Sequence, residues 1–174
     1  MVVALSSLVV FAVSCLSCVS DVKSLRIPNI YSVIVLAAFL VAFFVSPDSF
    51  GKWWYHFGAF LGMFVMTFLM YLTGQFGSGD TKLASVLALW VGLKGLFAFM
   101  FYVTLVGGLL AGISLYIQRK KPFRAPQEGS WIAQLQDGHN AVPYGVAIVF
   151  GAWMALFHTG FLYHIIDELI NIMN

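Results

Sequence analysis

Charge is what this sequence has least of. Only 9% of its 174 residues are Asp, Glu, Lys or Arg, against about 25% in an ordinary soluble domain. That shortage, with a mean hydropathy of +0.92, excludes a soluble globular protein and leaves no room for a second, soluble domain. Nucleic acid is excluded as a partner, because nine Lys and Arg in so apolar a chain serve as topology signals. Cysteine is also scarce. Cys15 and Cys18 form a lone C-x-x-C inside the first apolar run, and a zinc site of that kind needs a second ligand pair. They are read as packing residues. No H-E-x-x-H occurs, which removes the helical zinc-protease signature. The opening "MVVALSSLVVFAVSCLSCVSD" has no basic n-region and a poor lipoprotein box, so it reads as a retained first helix rather than a signal peptide. Internal repeats are absent as well.

What the chain has is long apolar runs. Six candidate spans fall at roughly 2–20, 30–46, 54–73, 81–93, 95–117 and 141–161. The expected fold is therefore an all-α polytopic membrane protein, a single domain over 1–174 with about six transmembrane helices. The fourth run is short for a bilayer of about 30 Å hydrocarbon thickness, and "GLKG" at 92–95 is expected to be its turn. Gly107, Gly108 and Gly112 suit close helix packing, the last two as a weak G-x-x-x-G. With the N-terminus outside, the inner loops hold Lys23, Arg26, Lys82, Arg119, Lys120, Lys121 and Arg124, and the outer ones Lys52 and Lys94. Seven against two sets the orientation by the positive-inside rule. Trp53, Trp54 and Tyr55 then fall in an outer aromatic belt. The polar segment 118–140 becomes a cytoplasmic loop whose prolines argue against a long helix before Gly129. The tail "HIIDELINIMN" reads as a short amphipathic segment at the outer interface.

Seven acidic residues are few enough to weigh singly. Asp48 sits in the turn-like "SPDSF". Glu128 and Asp137 lie in the polar loop, and Asp167 and Glu168 in the tail. Asp21 and Asp80 differ, since each stands at the edge of an apolar run and both on the inner side. Taken singly, Asp80 is an N-cap and Asp21 a polar helix end. Taken together they are a candidate pair. Gly77 and Gly79 before Asp80 leave room for a close approach of another backbone. A phosphate loop fails there, because Asp80 stands where G-x-x-x-x-G-K-[ST] needs its lysine. A dinucleotide fingerprint fails for want of a preceding strand.

Three motifs resemble those of the prepilin peptidases. "SDVKSLRIPN" (20–29) is similar to their first motif, "GSGDTK" (77–82) to their G-x-G-D, and "VPYG" (142–145) to the Pro-Tyr-Gly before their last helix. The longer members carry an N-methyltransferase region with paired C-x-x-C. Nothing here matches it, so the chain resembles the short, peptidase-only members of Flp/Tad-type pilus systems, with archaeal preflagellin peptidases as the relatives it is most easily confused with.

The resemblance implies the GxGD-type aspartyl protease fold, with Asp21 and Asp80 as the catalytic dyad and no cofactor or metal. The implied partners are the lipid bilayer and a prepilin or pseudopilin with a basic leader, a glycine before the cut and a hydrophobic helix after it. Cleavage is implied at the cytoplasmic face of the bacterial inner membrane. Two carboxylates held close cannot both ionise cheaply, so the pair shares a proton and can activate water. Gly77, Gly79, Asn29 and Tyr144 are candidate supports or lie on the substrate's approach. Pro28 and Pro143 are expected to set helix starts, and Lys82 to point away from Asp80 as an interfacial anchor. The basic inner loops offer a basic leader only Glu128 and Asp137. A proton-coupled transporter is the alternative from another class, though it more naturally keeps its carboxylates at mid-membrane. A serine protease built on Ser78 is weaker, because His158 and His164 map to the opposite end, and His139 reads as a surface residue.

Overall fold

The computed structural model describes residues 1–124, 126–139, 142–163, 166 and 170. His164, Asp167, Glu168 and most of the tail expected to lie at the interface fall outside the described residues. All regular structure described is helical: α1 (Val2–Ser24), α2 (Asn29–Val45), a 3-10 turn (Pro47–Ser49), α3 (Trp53–Leu72), α4 (Ser78–Lys120), α5 (Trp131–Gln136) and α6 (Tyr144–His158). Three of these, α1, α3 and α4, are long and apolar enough to cross a membrane, and α2 and α6 are shorter apolar helices. Their outward side chains are large and greasy. Phe97 is 82% exposed, and Leu8, Phe44, Leu72 and Leu109 are exposed with it. So much apolar surface suits lipid rather than water, and this is a helical membrane protein.

The first part of α4 is the centre of the bundle. Every residue from Leu83 to Gly92 is buried, packed mainly between α3 and α6, with α2 alongside. The segment 78–91 rises only about 20 Å, too little to span the bilayer by itself, and its surroundings are protein. The helix then breaks at one residue. Gly92 has φ 66° and ψ 173°, a conformation essentially reserved for glycine. The "GLKG" turn is thus a one-residue break, with the helix resuming at Leu93. The Leu89 carbonyl, near the end of the first part, lies 2.6 Å from Nδ1 of buried His56, whose Nε2 lies 2.9 Å from the Phe50 carbonyl. A broken helix within the apolar layer is tolerated where such partners are supplied by protein. An aromatic cluster around Phe39 and Trp90 closes that end, and the Trp90 indole donates to the Val35 carbonyl at 3.3 Å.

Other boundaries differ from the sequence expectation by a turn or less. Helix α1 runs on to Ser24 rather than stopping near residue 20, so Asp21 lies in its last turn instead of beyond its end. Leu25 then adopts a left-handed conformation (φ 51°, ψ 34°), and the Ser20 hydroxyl donates to the Arg26 carbonyl at 2.7 Å. Pro28 and Pro143 stand immediately before α2 and α6. Helix α4 extends to Lys120, and the polar segment after it is non-helical until the short α5. Gly107 packs against Tyr144, whereas a Cβ at Gly108 or Gly112 would meet nothing within 4 Å.

Candidate active site

Asp21 and Asp80 come together at one end of the bundle. Asp21 is buried in the last turn of α1, and Asp80 is half-buried in the first turn of α4. They line two adjoining cavities in common. One, of about 450 Å³, lies under the α1–α2 turn and includes Ile27, Pro28 and Asn29. The other, of about 740 Å³, lies between α4, α5 and α6 and includes Phe76, Gln118 and Tyr144. Leu25 and Gly77 line both as well. The two carboxylates therefore stand where the cavities meet.

Each carboxylate is held by the N-terminus of a helix. Asp80 Oδ2 accepts the Gly77 N–H at 3.1 Å, which is half of a capping box turned back on its own helix. The N-cap expectation for Asp80 is corrected: Gly77 is the N-cap, and Asp80, three residues on, reaches back to its N–H. Asp21 Oδ2 accepts the Gly145 N–H at 2.7 Å, so a residue of α1 caps α6 across 124 positions of sequence. The free N–H groups of a first helical turn favour an anion there. Asp80 Oδ1, by contrast, is buried with no hydrogen-bond donor in the structure. A buried acceptor of that kind is costly unless something it is meant to meet supplies the bond.

Glycines set the spacing. A Cβ at Gly77 would sit 2.8 Å from Asp80 Oδ2. One at Gly79 would sit 3.0 Å from the Ile27 carbonyl oxygen, and one at Gly145 would sit 2.8 Å from Asp21 Oδ2. Gly79 thereby lets the start of α4 rest on the α1–α2 turn, and Gly145 lets α6 rest on Asp21. Gly145 was not among the residues singled out from the sequence. Its motif "VPYG" drew attention to Tyr144 and Pro143, and a backbone donor leaves no mark in side-chain chemistry.

The remaining candidates sort by contact. Tyr144 stacks on Phe76, with centroids 4.8 Å apart. Asn29 is exposed and lines the smaller cavity, and its Oδ1 accepts from Lys82 Nζ at 2.9 Å, so Lys82 ties α4 to α2. Ser78 lines the smaller cavity, while His158 lies against Tyr102 at the far end. His139, expected at the surface, is exposed but lines the larger cavity. Cys15 and Cys18 are free thiols, and Cys18 Sγ lies 3.9 Å from the Gly145 carbonyl. Among the described residues no group of three or more His, Cys, Asp or Glu is placed to hold a metal ion. Helix α5 roofs the larger cavity, with Leu135 packed on Ile117 of α4 and Leu25 beside them. Another cavity, of about 560 Å³, opens at the opposite end around His56 and Lys94 and has no carboxylate in its wall.

The model of the type IV leader peptidase family matches residues 8–112, more than half of the chain. No curated protein and no solved structure gives a match.

Proposed function

The chain belongs to the type IV leader peptidase family, and from that premise we propose that it is an aspartyl endopeptidase with Asp21 and Asp80 as its dyad. The observation that carries this reading is the meeting of the two carboxylates at the junction of two cavities, each with one oxygen anchored by a helix N-terminus and Asp80 Oδ1 left without a donor. Two carboxyl groups so placed share one proton. The ionised member takes a proton from water, and the water oxygen bonds to the scissile carbonyl carbon. The protonated member donates to the carbonyl oxygen as charge develops there. Collapse of the tetrahedral intermediate breaks the C–N bond, and the leaving amine takes up the proton held by the dyad. Anchoring by Gly77 N–H and Gly145 N–H holds both carboxylates in position without help from bound substrate.

The substrate is a prepilin or pseudopilin with a basic leader, cut where its hydrophobic segment enters the membrane. In this reading six apolar segments make up the membrane bundle, α4 contributing one on each side of Gly92, the first of them enclosed by protein and too short to span the bilayer alone, and the whole described chain is one peptidase domain. Seven of the nine basic residues lie on segments at the aspartate end, which supports a cytoplasmic active site in the bacterial inner membrane. The uncharged polar side chains Gln75, Gln118 and Gln134 line the larger cavity, a better path for a basic leader than the smaller one, which holds Arg26.

Co-expression with a candidate prepilin tests the dyad. Asp21→Asn and Asp80→Asn are each expected to abolish leader removal, by at least about 10³-fold in purified form, while the protein stays folded in the membrane. Processing by both variants at the wild-type rate would sink the dyad. Loss of activity in Ser78→Ala alone would point to a serine nucleophile instead.

A further inference from the structure

A cavity of about 230 Å³ lies among α3, both parts of α4 and α6. Met63, Met66, Met70 and Met100 wall it, four of the chain's seven methionines. Three hydroxyl-bearing residues line it: Tyr144, which also lines the larger aspartate cavity, and two threonines whose hydroxyls are engaged. Thr67 donates to the Met63 carbonyl and Thr104 to the Met100 carbonyl, at 2.8 and 2.9 Å. The cavity adjoins the larger aspartate cavity, since Phe76, Ala111 and Tyr144 line both, and the stacked Phe76 and Tyr144 rings stand at that border. Ala84, one helical turn beyond Asp80, is also in its wall.

From this geometry we infer that the cavity is a specificity pocket, receiving the first large apolar side chain of the substrate on the C-terminal side of the scissile bond. The inference rests on the leader-peptidase reading and adds where the membrane-side residue is sorted. Size limits the occupant. An apolar cavity of about 150 Å³ holds a benzene molecule, so 230 Å³ admits one phenylalanine or methionine side chain. A helix about 10 Å across cannot enter it. Chemistry selects the occupant: with both threonine hydroxyls engaged, the wall away from Tyr144 offers a polar side chain no partner and leaves it desolvated. Methionine walls adapt to the shape of what they hold, which suits a pocket tolerant of several aliphatic and aromatic residues. Position favours a peptide over a lipid chain, because the pocket borders the cavity of the two carboxylates and reaches one turn past Asp80.

Three peptides of one sequence, with Ala, Phe or Trp as the first residue after the cut, test this on the purified full chain. Gly108 lines the pocket with open space at its Cβ position, so Gly108→Leu narrows it. Met100→Ala widens it. Gly112, one turn on and outside the pocket wall, gives Gly112→Leu as the control. Gly108→Leu is expected to lower the Phe-to-Ala ratio of kcat/KM at least about tenfold, and Met100→Ala to raise the Trp-to-Phe ratio by a similar factor, since a single methylene in an apolar pocket is worth roughly 10–200-fold. Gly112→Leu is expected to keep the wild-type ratios. A general loss of packing lowers all three rates together and leaves the ratios alone. Wild-type ratios in both pocket variants overturn the inference, even if a lipid chain is found in the cavity. Failure of the wild type to cut any of the peptides, or a family prepilin, removes the leader-peptidase reading on which it rests.

Discussion

Replacing Gly145 by alanine probes the anchoring of Asp21 most directly. The added methyl would lie 2.8 Å from both Asp21 Oδ2 and Ile27 Cδ1, and 3.2 Å from Asp21 Cβ. The two shorter separations are roughly 0.5 Å or more inside ordinary van der Waals distance. Gly145 is buried against Asp21 and Ile27; the Ile27 side-chain end can turn away, so the remaining relief is a movement either of the Asp21 carboxylate off the Gly145 N–H or of α6 away from α1. Either movement lengthens the 2.7 Å bond from Gly145 N–H to the carboxylate. Overpacking of this kind costs about 1–3 kcal/mol, and a hydrogen bond to a charged group contributes about 1.5–3 kcal/mol. If the lost interaction is felt mainly in the transition state, the rate falls about tenfold for each 1.4 kcal/mol. A catalytic group displaced by about 1 Å loses around 10²-fold. Gly145→Ala is therefore expected to reduce kcat about 10- to 100-fold with a smaller change in KM, measured as peptide cleavage in detergent by protein whose helix content is unchanged. Gly112→Ala, at a position with nothing within 4 Å of its Cβ, should cleave as the wild type does. A folded Gly145→Ala protein with kcat within twofold of wild type would refute the claim that Gly145 N–H holds Asp21 for catalysis.

Two further predictions concern the opposite end. Gly92→Ala forces a side chain into φ 66°, ψ 173° with its Cβ 3.3 Å from the His56 ring, and should destabilise the folded protein by about 1–3 kcal/mol, read as a lower unfolding midpoint in detergent. His56→Leu leaves a buried carbonyl, of Leu89 or Phe50, without its donor, and should cost a similar 1–3 kcal/mol. An unchanged midpoint in either variant would mean that the break in α4 is held by other contacts.

The sequence was most informative where chain geometry forces a residue type. Pro28 and Pro143 mark helix starts, because proline fits the first positions of a helix and disrupts its interior. Gly92 marks a break because the conformation there excludes side chains. Apolar runs revealed where helices lie, but not that Leu83–Gly92 is enclosed by protein on all sides, since lipid and protein interior select for the same side chains. For the same reason the methionine-lined cavity was invisible. Met63, Met66, Met70 and Met100 are ordinary membrane-helix residues until the packing of α3 against α4 brings them to one wall. His56 carries no signal of its role in the sequence, because the Leu89 and Phe50 carbonyls it meets are brought to it only by the fold.

Asp21 and Asp80 were legible as charges that an apolar environment does not accept without cause, but their equivalence was not. Local sequence makes Asp80 a cap and Asp21 a helix end. In three dimensions both bind a helix N-terminus, Asp80 that of its own helix and Asp21 that of α6. The difference between the two sources has a consequence for the site. Asp80 is fixed as soon as α4 forms, because Gly77 lies three residues away. Asp21 is fixed only when α6 has packed against α1, which brings Tyr144 onto Phe76 and closes the wall shared by the aspartate and methionine cavities. The contacts of α6 with α1 therefore position Asp21 and form the wall of the apolar pocket together, so in the proposed enzyme a change that shifts α6 is expected to disturb the carboxylate pair and the pocket at once.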